Sequence, residues 1–168
     1  MFHGIDKNAP VLPVVDFMTN TGHPFYLTGS RFFGTAKPGS DWDFFAPYTQ
    51  GICNALRTLG FVELTHSSSS YNDQDTRAVF RYVSPEISID VQLVNDADRK
   101  QRIQEIIKHH PGFRDLMTKL PKEKRTTFWN LLLMVSQPEW FNRDCLQQPF
   151  NSTVGDKQIR NLMNQVMV

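Results

Sequence analysis

Apolar and polar positions alternate most regularly over Thr76 to Val83 and over Ile87 to Val94, which predicts two strands joined through Ser84-Pro85-Glu86 as a hairpin. In the second run Ile87, Ile89, Val91 and Leu93 share one face while Ser88, Asp90, Gln92 and Val94 share the other, so Asp90 is set apart from the core side. Phe25-Tyr26-Leu27-Thr28 reads as a buried strand ending at a glycine turn, Asp41 to Ala46 as a strand beside it, and Phe61 to Leu64 as another. Helical spacing is expected over about 11–21, stopped by Gly22-His23-Pro24, and over Tyr48 to Leu59, where Ile52, Ala55, Leu56 and Leu59 line one face and Gly60 is the stop. Arg31-Phe32-Phe33-Gly34 fits a single helical turn and Lys37-Pro38-Gly39-Ser40 a loop, as does the polar run from His66 to Asp73. After residue 95 the pattern turns helical, over 96–109, about 111–119, about 121–136 and near 156–167. The expected architecture is α/β (α+β): a mixed sheet flanked by helices over residues 1–95, with a helical extension, 96–168, packed on it.

The 168 residues, 40% of them hydrophobic, suffice for one sizeable soluble domain. A net charge of +1 gives no general attraction to nucleic acid or membranes. Its distribution is uneven: acidic side chains outnumber basic ones up to residue 95, and the balance reverses over 96–125. Cys53 and Cys145 have no metal-ligand spacing and read as unpaired thiols of a reducing compartment. The N-terminus lacks the pattern of a leader and no segment approaches the ~20 apolar residues of a membrane span, so the expectation is a cytoplasmic protein with no membrane partner.

The candidate chemistry lies between the first two predicted strands. A Gly29-Ser30 turn after an apolar stretch can bring donors to a phosphate. Asp41 and Asp43, at i and i+2, share a side of an extended strand about 6.6 Å apart, from the ~3.3 Å rise per residue. Asp90 completes a set of three if its strand is adjacent. Mg²⁺ favours such hard oxygen ligands, and a bound ion offsets the mutual repulsion of the carboxylates.

The run Gly29-Ser30-Arg31-x-x-Gly34-Thr35-Ala36-x-Pro38-x-Ser40-Asp41-x-Asp43, followed by Ile89-Asp90-Val91, resembles the signature of the DNA polymerase beta superfamily of nucleotidyltransferases, in its small, minimal form. The resemblance covers residues 25–94. It implies a nucleotidyltransferase-fold mixed sheet and transfer of a nucleoside monophosphate from a nucleoside triphosphate, ATP among the candidates, to an acceptor, with release of pyrophosphate. Carried over by position, Asp41 and Asp43 would bind two ions, Mg²⁺ or alternatively Mn²⁺. Asp90 would bind the catalytic ion and take the acceptor's proton, and Gly29 and Ser30 would hold the triphosphate. Trp42 departs from the smaller aliphatic residue common between the two aspartates, and its large ring leaves both its packing in the strand and a base-stacking role open.

Around this set, Arg31 reads either as a surface residue or as a phosphate contact, Lys37 as a solvated loop residue or a nucleotide contact, and Ser40 as a further nucleotide-binding position. Arg77 and Arg81 share a strand face and could grip a phosphate or pair with Asp73, Asp75 or Glu86. The basic stretch from Arg99 to Arg125 is a solvated surface or one that receives an acidic acceptor such as RNA. Phe128, Trp129, Leu131 to Met134, Trp140 and Phe141 are expected to pack a helical layer on the sheet. The acceptor stays open among RNA, protein and small molecules, and so does the oligomeric state. The rival reading is a catalytically silent binding or regulatory protein on the same fold, antitoxin-like in character. A P-loop hydrolase is disfavoured because Gly29 to Lys37 lacks the Gly-x-x-x-x-Gly-Lys-[Ser/Thr] pattern.

Overall fold

A computed structural model describes residues 5–64 and 76–109, together with 119–121 and 124. In chain order the elements are α1 (Leu12–Asn20), β1 (Tyr26–Thr28), α2 (Gly29–Phe33), β2 (Trp42–Pro47), α3 (Gln50–Thr58), β3 (Val62–Glu63), β4 (Thr76–Val83), β5 (Ser88–Val94) and α4 (Ala97–Lys108). The strands form one sheet in the order β1-β2-β5-β4-β3. Among the described residues only β2 and β5 run parallel; the other three pairings are antiparallel. The sheet is therefore mixed, with helices packed against it.

One face carries the main core. Trp42, Phe44 and Ala46 of β2 and Ile89, Val91 and Leu93 of β5 meet Val15 and Met18 of α1, Ile52 and Leu56 of α3, and Phe80 of β4. Each of these strand sets is spaced by two, as one side of a pleated strand must be. Helix α3 starts at Thr49, whose hydroxyl accepts from the Ile52 N–H at 3.2 Å, and the chain turns after it through Gly60 at φ +91°.

The opposite face is partly roofed by α4. Ala97 packs on Phe45 and Val94, with Tyr26 beside them. Polar contacts fasten this helix: Gln104 Nε2 donates to the Leu27 carbonyl at 2.7 Å, and Thr28 Oγ1 donates to Gln104 Oε1 at 2.8 Å. Tyr26 donates its hydroxyl to Asp98 at 2.7 Å. Lys100, 2% exposed, donates to Gln92 Oε1 at 3.2 Å, and Gln92 in turn donates to Thr76 Oγ1.

Asp90 does stand apart from the main core side, across the sheet from Ile89, Val91 and Leu93, but the face that carries it is covered as well. Asp90 is 7% and Gln92 5% exposed, because α4 covers this side and its polar groups meet partners there. The strand Asp41 to Ala46 is shifted by one residue to Trp42–Pro47, leaving Asp41 outside it. The expected loop from His66 to Asp73, the later helices, the aromatic layer around Trp129 and Cys145 lie outside the described residues. Cys53 is a buried free thiol. Among the described residues no helix is long and apolar enough to cross a membrane.

Candidate active site

The sheet register assembles the site. Thr28 pairs with Asp43, Asp43 with Asp90, Asp90 with Arg81, and Arg81 with Val62, so one row crosses all five strands. Residues level with one another on neighbouring strands project to the same side. Asp43 and Asp90 are therefore neighbours on one face, across the parallel pair at the centre of the sheet.

Gly29 closes one end of this pair. It opens α2 directly after β1 at φ +68°, a conformation that favours glycine. A Cβ there would overlap Asp43 Oδ2 and would lie 3.0 Å from Asp43 Cβ and 3.1 Å from its Cγ. The backbone of the Gly29-Ser30 turn thus lies directly against the carboxylate. Gly34, at φ +77°, ends the single helical turn, where the Thr35 N–H donates to the Ser30 carbonyl at 2.8 Å.

Arg81 closes the other end. Its Nε donates to Asp90 Oδ1 at 2.7 Å and its Nη2 to Asp90 Oδ2 at 3.0 Å, a two-pronged pair with the carboxylate largely buried and the guanidinium about half exposed. Asp90 is not among the partners that the sequence suggests for Arg81, a phosphate or Asp73, Asp75 or Glu86. The signal lay in the hairpin: counting outward from the Ser84–Ile87 turn pairs Val83 with Ser88 and Arg81 with Asp90. Arg77, four residues away, donates instead to Asn95 Oδ1 at 2.9 Å.

The remaining sequence-predicted residues divide in two groups. Asp41 is exposed and precedes β2, and among the described residues no group of three or more His, Cys, Asp or Glu side chains is assembled to hold a metal ion. The structure brings Asp43 and Asp90 together and leaves Asp41 beside the start of the strand. Arg31, Lys37 and Ser40 build the connecting loop. Lys37-Pro38-Gly39-Ser40 is a closed turn with the Ser40 N–H donating to the Lys37 carbonyl at 3.0 Å and Gly39 at φ +82°, as proline then glycine at its centre require. The Ser40 hydroxyl accepts from the Lys37 N–H at 2.9 Å, and its carbonyl accepts from Arg31 Nη2 at 2.7 Å. The Lys37 residue is exposed.

Trp42 is 9% exposed and belongs to the core cluster, one residue out of phase with Asp43. Its ring is on the side away from the aspartate row, so base stacking beside Asp43 is not open to it.

The donor set suits a divalent cation of the Mg²⁺ type. That ion is commonly held by one or two carboxylates, with phosphate oxygens and water completing the shell, and Asp43 with Asp90 provides two carboxylates on one face. Electrostatically the pair is balanced at one flank by Arg81, while the buried ammonium of Lys100 lies in the next row, against Gln92 and 5.4 Å from the Phe45 ring centroid.

No family model and no curated protein matches this chain. Among solved structures, a chain of the GLD-2/RNP-8 complex is similar to 74% of it, at 17% identity and a TM-score of 0.46. The match covers 55% of that chain, so the present protein spans little more than half of its length.

Proposed function

We propose that the protein is a metal-dependent nucleotidyltransferase that moves a nucleoside monophosphate from a nucleoside triphosphate to an acceptor and releases pyrophosphate. One observation carries this reading: Asp43 and Asp90 are register partners on adjacent parallel strands, with the Gly29 backbone pressed against the first. Two carboxylates beside a glycine turn suit a triphosphate bridged by hard cations, and they follow the order of the sequence signature.

Asp43 and Asp90 would hold Mg²⁺ or Mn²⁺, with Asp41 at the edge of the strand as the outer carboxylate. A bound ion would supply charge neutralisation and alignment of the phosphates. The chain's own groups do the rest. Gly29 and Ser30 hold the triphosphate, Asp90 receives the proton of the attacking hydroxyl, and Arg81 holds the Asp90 carboxylate in one orientation. The acceptor oxygen attacks the α-phosphorus as the bond to the β-phosphate oxygen breaks, and pyrophosphate departs.

The test is incubation with labelled ATP, GTP, CTP and UTP, with Mg²⁺ or Mn²⁺, in the presence of RNA, protein and small-molecule acceptors. Label transfer that disappears in Asp43→Ala and Asp90→Ala is expected. Transfer that survives both substitutions rejects the site.

A silent binding protein on the same fold is the second reading, and Arg81 is what favours it. A guanidinium fastened to both oxygens of Asp90 competes with any cation for that carboxylate. Absence of transfer with every nucleotide and both ions, together with a stoichiometric protein partner on purification, would favour it.

A further inference from the structure

The loop between Gly29 and Asp43 is tied down by one side chain. The Arg31 guanidinium carbon lies 4.1 Å from the centre of the Trp42 ring. From that position Nη2 donates to the Ser40 carbonyl at 2.7 Å and Nε to the same oxygen at 3.3 Å. One flat face and two nitrogens of the group are thereby engaged within the protein. Asp41 stands between the two residues that Arg31 holds, Ser40 by its carbonyl and Trp42 by its ring.

We propose that Arg31 is a positioning residue and that Trp42 is its counterpart: together they fix where the chain enters β2, and hence where Asp41 and Asp43 stand relative to the Gly29 turn. The inference rests on the proposed metal and triphosphate site. It also explains the bulky residue between the two aspartates. A tryptophan offers the strongest aromatic face to a cation, and a buried ring cannot drift, so the guanidinium stacked on it is held in place as well. A lysine in place of Arg31 could not both stack flat and present two N–H groups to one oxygen. The remaining half of the lock is the Lys37–Ser40 turn, which presents the Ser40 carbonyl at a constant place.

The experiment uses the full chain with Arg31→Lys, Arg31→Gln, Trp42→Phe, Trp42→Leu and the double variant Arg31→Gln/Trp42→Leu, and with Asp43→Ala as control. Amide hydrogen exchange over residues 34–43, without any ion, and Mn²⁺ binding followed by electron paramagnetic resonance are the two readouts. Faster exchange in both Arg31 variants and in Trp42→Leu is expected, with Trp42→Phe close to the parent because it keeps an aromatic face. Mn²⁺ affinity should fall about tenfold or more with Arg31→Lys, as it does when groups that orient metal ligands are removed. The double variant should be little worse than either single one. Parental exchange and Mn²⁺ binding in Arg31→Lys would overturn the proposal. So would losses in Arg31→Gln and Trp42→Leu that simply add. If the parent binds Mn²⁺ no better than Asp43→Ala, the metal site itself is wrong, while the exchange rates still decide whether the clasp exists.

Discussion

Arg81 and Asp90 face each other across the β4–β5 hairpin with both carboxylate oxygens engaged. The same aspartate is the register partner of Asp43 on its other side. One buried carboxylate therefore stands between a cation and another carboxylate, and Arg81 offsets its charge on one side.

Arg81→Ala should accordingly destabilise the protein by about 1–2 kcal/mol, below the figure for a fully buried pair because the guanidinium is about half exposed. Urea denaturation measures this. Mg²⁺ should restore more stability to this variant than to the parent, by relieving the repulsion that Arg81 no longer offsets, and should do so less when Asp43→Asn is added. A melting temperature of Arg81→Ala that does not respond to Mg²⁺ would count against an ion between the two aspartates.

Gly29→Ala places a methyl group on Asp43 and holds an L-residue at φ +68°. The backbone conformation alone costs about 1–2 kcal/mol, and the overlap displaces the carboxylate. Nucleotidyl transfer should fall far more than stability does. Gly22→Ala, at φ +75° with open space around it and away from the site, is the matched control and should lose stability while keeping activity.

Gln104 is fully buried and joins α4 to β1 through the Leu27 carbonyl and the Thr28 hydroxyl. Gln104→Leu leaves both without that partner and should cost about 1–3 kcal/mol in chemical denaturation. Because Thr28 is level with Asp43, the variant should also shift the amide resonances of the aspartate row.

Tyr26 carries the titration that can be followed in the folded protein. Burial first, then the hydrogen bond to Asp98 and the charge of Asp98, push its pKa from 10.0 up to about 12. The folded state thus favours the neutral phenol. The stabilisation is complete below pH 10 and is lost as pH rises from there through about 12. Stability against pH, measured for the parent and Tyr26→Phe, should show an extra fall in that window for the parent alone.

Much of the sheet was legible because its strands alternate cleanly and its turns carry proline or glycine. The hairpin of β4 and β5, the single turn of α2 and the helix ended at Gly60 all follow from local chemistry. The environment of Asp90 does not. The alternation sets residues 90 and 92 apart from the core side without saying what covers them: α4 roofs that face, its Lys100 donating to Gln92 and its Gln104 to the Leu27 carbonyl of β1. Such satisfaction depends on residues far along the chain. Arg31 and Ser40 show the opposite case: both belong to the signature, but a list of residue types does not distinguish contacts that shape a loop from contacts to a ligand. The one-residue displacement of β2 past Asp41 is of this kind, following from the turn and the hold on Ser40 that precede it.

The parallel partnership of β2 and β5 has a consequence for how the molecule assembles. The hairpin closes over a few residues, whereas bringing β5 beside β2 must enclose α3, β3 and β4, and short loops close at lower entropic cost than long ones. Asp90 would then meet Arg81 before it meets Asp43, so the cation escorts its carboxylate into the centre of the sheet, and the two like charges are brought together only in the last strand pairing.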